Sequence, residues 1–249
     1  MIPNIVFPAP HGRFVLKKHN LQTKFPLDAL LLYRKTILVQ NEPIMSEKEL
    51  QTRKVIIETA RNLFRQYGYE KTSIDQIAKA AHKAKGSVYY HFKGKEEVFK
   101  SALEEELDHL KHILIDVIKN PSFSIENRFE QYIIRRMECL HDAYAYHITL
   151  MQDLSVNGST LPSVMQLRKD FEQWEHDIMM RLTEEGIKTM QLQDIQPEIM
   201  ADLIKMLVKG LEIQFFVQNK YDSYSPTFKI LVKRVTQGFV SATPSMINN

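Results

Sequence analysis

An all-α fold is predicted by three features of this 249-residue chain: only 8 glycines, few clusters of turn residues, and apolar positions recurring at spacings of three and four from Thr52 onward. The first two argue against an all-β sandwich and against a glycine-rich nucleotide-binding fold. Hydrophobic residues make up 44% and charged residues 25%, the balance of a globular chain rather than a disordered or collagenous one. At roughly 100–200 residues per domain, one large or two small domains fit this length. The single cysteine, Cys139, excludes an internal disulfide framework and a multi-cysteine zinc site. The longest apolar runs, such as Ala29–Tyr33, fall far short of the ~20 residues of a membrane span. The amino terminus also lacks the segment order of a secretory signal. The expectation is a soluble, cytoplasmic protein with no membrane partner.

Charge is unevenly distributed. The total is 33 basic against 30 acidic residues, a net of +3. Residues 1–44 carry 6 basic and 2 acidic side chains, residues 45–100 carry 12 and 7, and residues 101–249 carry 15 and 21. A basic first part and an acidic remainder point to a polyanion as partner of the first part.

Residues 1–44 hold five of the ten prolines (Pro3, Pro8, Pro10, Pro26 and Pro43) and no sustained helical period. Only Leu27–Val39 suits a short helix or strand. Composition changes sharply at Met45-Ser46-Glu47, which marks Met45 as the expected natural start. The first 44 residues then form an upstream extension or a poorly ordered arm; the alternative is a basic arm that tracks DNA.

From Thr52, Ile56, Ala60, Leu63, Phe64 and Tyr67 make one apolar stripe, and Gly68 supplies the left-handed residue that ends a helix. Ser73-Ile74-Asp75-Gln76 reads as a capping box, in which the serine hydroxyl satisfies a free amide and Gln76 reaches back. Ile74, Ile77, Ala78 and Ala81 form the buried face of a second, short helix. A break at His82-Lys83-Ala84 precedes a third segment, Lys85–His91. Gly94, with Glu96 and Glu97 at the positive end of the helix dipole, opens a fourth. Its stripe of Phe99, Leu103, Leu107, Leu110, Leu114 and Val117 runs to about Lys119, and Pro121 ends it. One long helix, two short ones and another long one describe a helix-turn-helix within a three-helix amino-terminal domain, residues 45–100. Beyond Pro121, helices are expected at about 124–141, 143–155, 162–188, 197–219 and 225–242, in a larger helical domain spanning 101–249.

Lys85-Gly86-Ser87-Val88-Tyr89-Tyr90-His91-Phe92-Lys93-Gly94-Lys95-Glu96 carries the functional signal. A short helix that enters the major groove needs small or hydrogen-bonding residues at its exposed end and apolar ones behind. Gly86 and Ser87 let the backbone approach a duplex, while Val88 and Phe92 are spaced to pack against the first helix. Lys85, Ser87 and Tyr89 are expected to face bases or nearby phosphates. Tyr90, His91 and Lys95 are expected to face phosphates, which set position and most of the affinity. Two adjacent aromatics on one helix cannot both face inward, so Tyr89 and Tyr90 do not simply fill a core.

With Ala60, Leu63–Phe64, Gly68-Tyr69, Thr72, Ile77-Ala78 and the run from Lys85 to Glu96, the stretch from about Thr52 to Leu107 resembles the tetracycline-repressor (TetR) family of bacterial transcription regulators. The resemblance implies a homodimer. Each subunit would carry an amino-terminal DNA-reading domain and a helical domain that binds a small effector and dimerises. It also implies phosphate contacts from Thr72 or Ser73 and from Lys95. Three positions depart from the family pattern: His82 where the turn usually has glycine, Lys83 where it has an apolar residue, and Ala84 where it has a serine or threonine cap. His82 must accept a left-handed backbone or shift the turn. Loss of the cap hydroxyl costs about 0.5–2 kcal/mol locally.

In the carboxy-terminal part, Met137, Tyr144, His147, Met151, Trp174, Met179, Phe215 and Phe216 are candidates for an apolar effector pocket, and equally for a helical core. Arg135 and Arg136, with His147, are its polar candidates. His109, His112 and Asp116 have helical ligand spacing but no further strong ligand nearby, so neither metal nor cofactor is expected. By resemblance, the helices near 197–219 and 225–242 pair with their copies as a four-helix interface. That arrangement demands a roughly palindromic operator. No nucleophile with its base, phosphate loop or carboxylate pair stands out, so an enzyme is not expected. The function expected is a repressor that binds double-stranded operator DNA and is released by an unknown small-molecule effector. The alternatives are an activator or an architectural DNA-binding protein without effector control.

Overall fold

A computed structural model describes residues 45–153, 161–192 and 195–239, and the elements from Glu47 onward belong to one compact unit. The extension 1–44, the end of the helix expected at 143–155 and the last residues of 225–242 lie outside the described residues. Every regular element is helical: α1 (Glu47–Tyr67), α2 (Ile74–Ala80), α3 (Lys85–His91), α4 (Lys95–Ile118), α5 (Ile125–Leu140), α6 (Tyr144–Asp153), α7 (Pro162–Lys188), α8 (Pro197–Glu212) with a π-helical continuation Ile213–Val217, and α9 (Tyr221–Gln237). None of these helices is long and apolar enough to cross a membrane.

α1 begins five residues before the expected Thr52, because Glu47 and Glu49 suit the positive end of a helix even where no apolar period shows. Ile56, Ile57, Ala60 and Phe64 are its buried stripe. Tyr67, expected in that stripe, stands exposed; Tyr69 makes the aromatic contact at this end instead, its ring 4.9 Å from Phe99. Phe64 closes the triangle edge-on to Phe99 at 5.3 Å. Gly68 takes φ +82°, and its amide donates to the Phe64 carbonyl at 2.9 Å. The capping box at Ser73 forms as expected, with Gln76 accepting from the Ser73 amide at 2.8 Å. His82 does adopt the left-handed conformation, φ 53°, and Ala84 caps α3 without a side-chain hydrogen bond. The turn closes with the Lys83 amide donating to the Ala78 carbonyl at 2.9 Å.

α4 runs for 24 residues, packing first against α1 and then against α5, α6 and α7. In the second half of the chain α7 lies along α8, and α9 lies on α5. The α5–α7 region closes tightly at Gly186, where an added Cβ would come within 2.4 Å of Leu192 Cδ1 and 2.9 Å of Ile125 Cγ2. α9 starts at Tyr221 rather than at 225 and runs through Pro226. The Asp222 carbonyl, which the proline nitrogen cannot serve, accepts instead from the Ser225 hydroxyl at 3.5 Å.

Candidate functional site

α3 lies over α1 and α2 through two residues. Val88 and Phe92 are fully buried, and the Arg53 guanidinium sits 5.1 Å above the Phe92 ring. With that side fixed, helical geometry turns the intervening residues outward. Tyr89 is 49% exposed and Tyr90 71% exposed, and a Cβ at Gly86 would meet open space. Lys85 and Gly86 are exposed at the start of the helix, and Ser87 is half-buried beside them. Lys85 donates to Asp75 of α2 at 3.1 Å, and the Tyr90 hydroxyl donates to Glu49 of α1 at 2.6 Å. The Asp75 carboxylate raises the Lys85 pKa, and the hydrogen bond to Glu49 raises that of Tyr90. Two carboxylates thus hold the polar tips of α3 on the exposed face. His91 is half-buried with its Nδ1 unpartnered, and burial lowers its pKa.

Two of the residues expected to touch phosphate have other partners. Thr72 is buried, and its hydroxyl donates to the Gly68 carbonyl at 2.8 Å, closing the α1–α2 turn. A side chain enclosed this way cannot reach a duplex, so Ser73, exposed at the cap, is the member of that pair that faces solvent. Lys95 is half-buried; its ammonium donates to the carbonyls of Tyr69 at 2.9 Å and Glu70 at 3.3 Å, and lies 4.3 Å from the Tyr69 ring centroid. Burial and the neighbouring Glu96 and Glu70 push the Tyr69 pKa up to about 12. Lys95 joins the turn after α1 to the start of α4 in this structure.

The helical part contains a second polar centre, whose members lie far apart in sequence. Arg136 on α5 is buried and donates to Glu175 on α7 through Nε at 2.6 Å and Nη2 at 2.9 Å, and to Glu212 on α8 through Nη1 at 2.5 Å. Tyr146 on α6 donates to Glu212 at 2.9 Å and accepts from Arg136 at 3.2 Å, and Tyr132 donates to Glu175. Burial opposes the charge on Arg136, but the Glu175 and Glu212 carboxylates outweigh it and raise its pKa well above the usual value. Burial and the adjacent Glu212 carboxylate likewise raise the pKa of Tyr146. Such a fully bonded ionic cluster leaves no charge bare. It lines a cavity of about 30 Å³ among α5, α6, α7 and α8, together with Met179, Ile204, Val208 and the rim residues Glu172, Lys205 and Lys209. Glu172 bridges the two lysines at 3.6 and 3.3 Å, and also pairs with Arg168 at 3.2 Å.

Of the expected pocket residues, Met179 and Arg136 line this cavity, but Arg135, Met137, His147, Trp174 and Phe215 do not. Arg135 is one residue, hence about 100° of helix, from Arg136, and it points outward to Glu138 at 3.1 Å, beside an open groove that Cys139 also lines. Met137 is core. His147 stacks on Phe216 at 4.6 Å and shares a hydrogen bond with the Leu140 carbonyl at 2.7 Å. Burial lowers its pKa, which suits a neutral ring. Phe215 packs 5.3 Å from Phe228, and half-buried Trp174 packs 5.5 Å from Phe171. The side chains of Tyr144 and Met151 lie outside the described residues. The signal available in the sequence was the charge on buried phases: Glu175 falls in register with Phe171, Ile178 and Leu182, and Glu212 with Val208 and Phe215. No group of three or more His, Cys, Asp or Glu among the described residues could hold a metal.

Residues 56–102 match the family described as bacterial regulatory proteins, tetR family. The HTH-type transcriptional regulator SrpR of Pseudomonas putida is 28% identical over 164 residues, 65% of this chain and 73% of that protein. The HTH-type transcriptional repressor DhaR of Mycobacterium sp. (strain GP1) is 27% identical over 155 residues, 61% of this chain and 76% of that one. Among solved structures, the SmeT–triclosan complex superposes with a TM-score of 0.64 at 20% identity, covering 80% of this chain and 98% of the other. These relatives are HTH-type transcriptional regulators.

Proposed function

We propose that this chain, a member of the TetR family of bacterial transcriptional regulators, is a repressor that binds a palindromic operator as a homodimer and is released by a small-molecule effector. The observation that carries the DNA reading is α3 itself. Val88 and Phe92 anchor one side, while Tyr89 and Tyr90 stand 49% and 71% exposed on the other, beside an open backbone at Gly86. Large aromatics with polar tips are left in water at this density where a partner is to cover them. Lys85, Gly86, Ser87, Tyr89 and Tyr90 are the reading residues, with Ser73 and His91 beside them. Residues 45–100 form the reading domain and 101–249 the regulatory one.

Dimerisation is supported by a second exposed apolar surface. Ile199, Leu203 and Met206 recur along one face of α8, and α9 exposes Ile230 and Leu231. Pairing of these faces about a two-fold axis would present two α3 helices to a two-fold symmetric site.

Effector control is supported by the cavity around Arg136. At about 30 Å³ it holds roughly a water molecule, whereas ligand pockets run to about 300–1,000 Å³. An effector of that size enters only as α7 and α8 part, so its affinity for the parted state drives the change. The triclosan complex of SmeT supports triclosan as a first compound to try.

Selection of bound sites from random duplex DNA tests the reading. A two-fold symmetric consensus is expected, and Tyr89→Ala should weaken binding to it about 10-fold or more without changing the thermal melt. A protein that enriches no sequence, or a Tyr89→Ala variant with full affinity, overturns it.

A further inference from the structure

Tyr146 belongs to two structures at once. Its hydroxyl sits in the Arg136–Glu212 cluster at the cavity, but its backbone amide belongs to the first turn of α6, where helix amides lack partners of their own. A distant side chain serves them. Glu106, buried on α4, accepts from the Tyr146 amide through Oε2 at 2.9 Å and from the Ala145 amide through Oε1 at 3.2 Å. The same Glu106 Oε1 lies 3.6 Å from Nε of Arg61 on α1. One turn further along α1, Arg65 donates to the Asp142 carbonyl in the turn that leads into α6, at 2.9 Å. The start of α6 is therefore held by α4 and α1, not by a cap of its own.

We propose that Tyr146, Glu106 and Arg61 form a relay through which the state of the buried cluster sets the position of α1 and hence the DNA affinity of α3. The inference rests on the DNA-binding reading above. Glu212 belongs to α8 and Glu175 to α7, so parting those helices withdraws Glu212 from the Tyr146 hydroxyl. The start of α6 is then free to shift. Glu106 holds its amides through both carboxyl oxygens, so it cannot follow that shift and keep Arg61 at the same distance. α1 carries α3 through Phe92 and the Arg53 contact, and it passes the displacement on. Apolar packing alone would carry no such dependence on a single hydroxyl.

The test is a double-mutant cycle in the full chain, read on the duplex selected by the wild type. Tyr146→Phe removes only the hydroxyl, and Arg61→Met keeps the stem without the charge. Tyr146→Phe is expected to change duplex affinity about 5-fold in the wild type and less than about 2-fold in the Arg61→Met background. Glu106→Gln in place of Arg61→Met should likewise suppress the effect. Equal changes in both backgrounds, or no change in the wild type, overturn the relay. Amide hydrogen exchange gives a second readout that needs no DNA: Tyr146→Phe should speed exchange in the second half of α1. Unchanged α1 exchange also overturns it, whereas a wild type that selects no duplex sinks the DNA reading and leaves exchange to decide.

Discussion

Lys85 and Asp75 meet across the turn of the reading motif, with the lysine ammonium 2.9 Å from one carboxylate oxygen and donating to the other at 3.1 Å. Both side chains are largely exposed, so the pair contributes little to folding. Its consequence lies at the DNA surface. Asp75 places a negative charge beside a cation that we propose meets a duplex, and it restricts where that cation can point.

Asp75→Asn should therefore loosen discrimination rather than weaken binding. Affinity for non-specific duplex should rise, and the slope of log affinity against log salt should steepen by about one phosphate contact. Fluorescence anisotropy at four or five salt concentrations measures both. An unchanged slope would show that Lys85 makes no phosphate contact in the complex.

The buried cluster predicts an asymmetry between single and multiple substitutions. Arg136→Met leaves Glu175 and Glu212 without their counter-ion and should cost about 3–5 kcal/mol in urea unfolding. Adding Glu175→Gln and Glu212→Gln to that variant should recover a large part of the loss. Three substitutions that prove simply additive would rule out the cluster as a unit.

Glu106 predicts a pH dependence with a definite sign. Burial pushes its pKa up to about 7 from 4.5, against the lowering effects of the Tyr146 and Ala145 amides and of Arg61 and Arg65. Cys139 on α5 also lies in its field. The native state then holds a proton that the unfolded chain releases between about pH 4.5 and 7. The stabilisation is complete below the unfolded value and is lost as pH rises through 7, by up to about 3 kcal/mol. Urea midpoints at pH 5, 6, 7 and 8 for the wild type and Glu106→Gln should differ in that slope. A variant with the same slope as the wild type removes Glu106 as its source.

The exposed face of α8 and α9 predicts the oligomeric state. In a two-fold interface each substitution appears twice, so Met206→Glu or Leu231→Glu should weaken the dimer by at least about 2 kcal/mol. Sedimentation velocity over a concentration series reads this directly. A monomeric wild type would exclude the interface outright.

Local rules accounted for the amino-terminal part because its features are local. The capping box at Ser73, the left-handed Gly68 and the anchors Val88 and Phe92 each depend on residues a few positions apart. The positions of Thr72 and Lys95 are legible in the sequence, but the direction of each side chain is not, because it depends on carbonyls brought near by the fold. Thr72 turned in to the Gly68 carbonyl and Lys95 to the end of α1. The cluster around Arg136 joins residues 39 and 76 positions apart in sequence, so no window of helical period could assemble it. Choosing bulky apolar side chains as pocket residues selected the core instead, as Met137 and Phe215 show.

The attachment of Lys95 has a consequence for how motion crosses the molecule. Its ammonium stitches the first residue of the 24-residue α4 to the two carbonyls just beyond α1, with Gly94 immediately before it. Bolted in this way, the start of α4 and the turn after α1 are held as one piece, so a tilt of α4 would carry that turn with it.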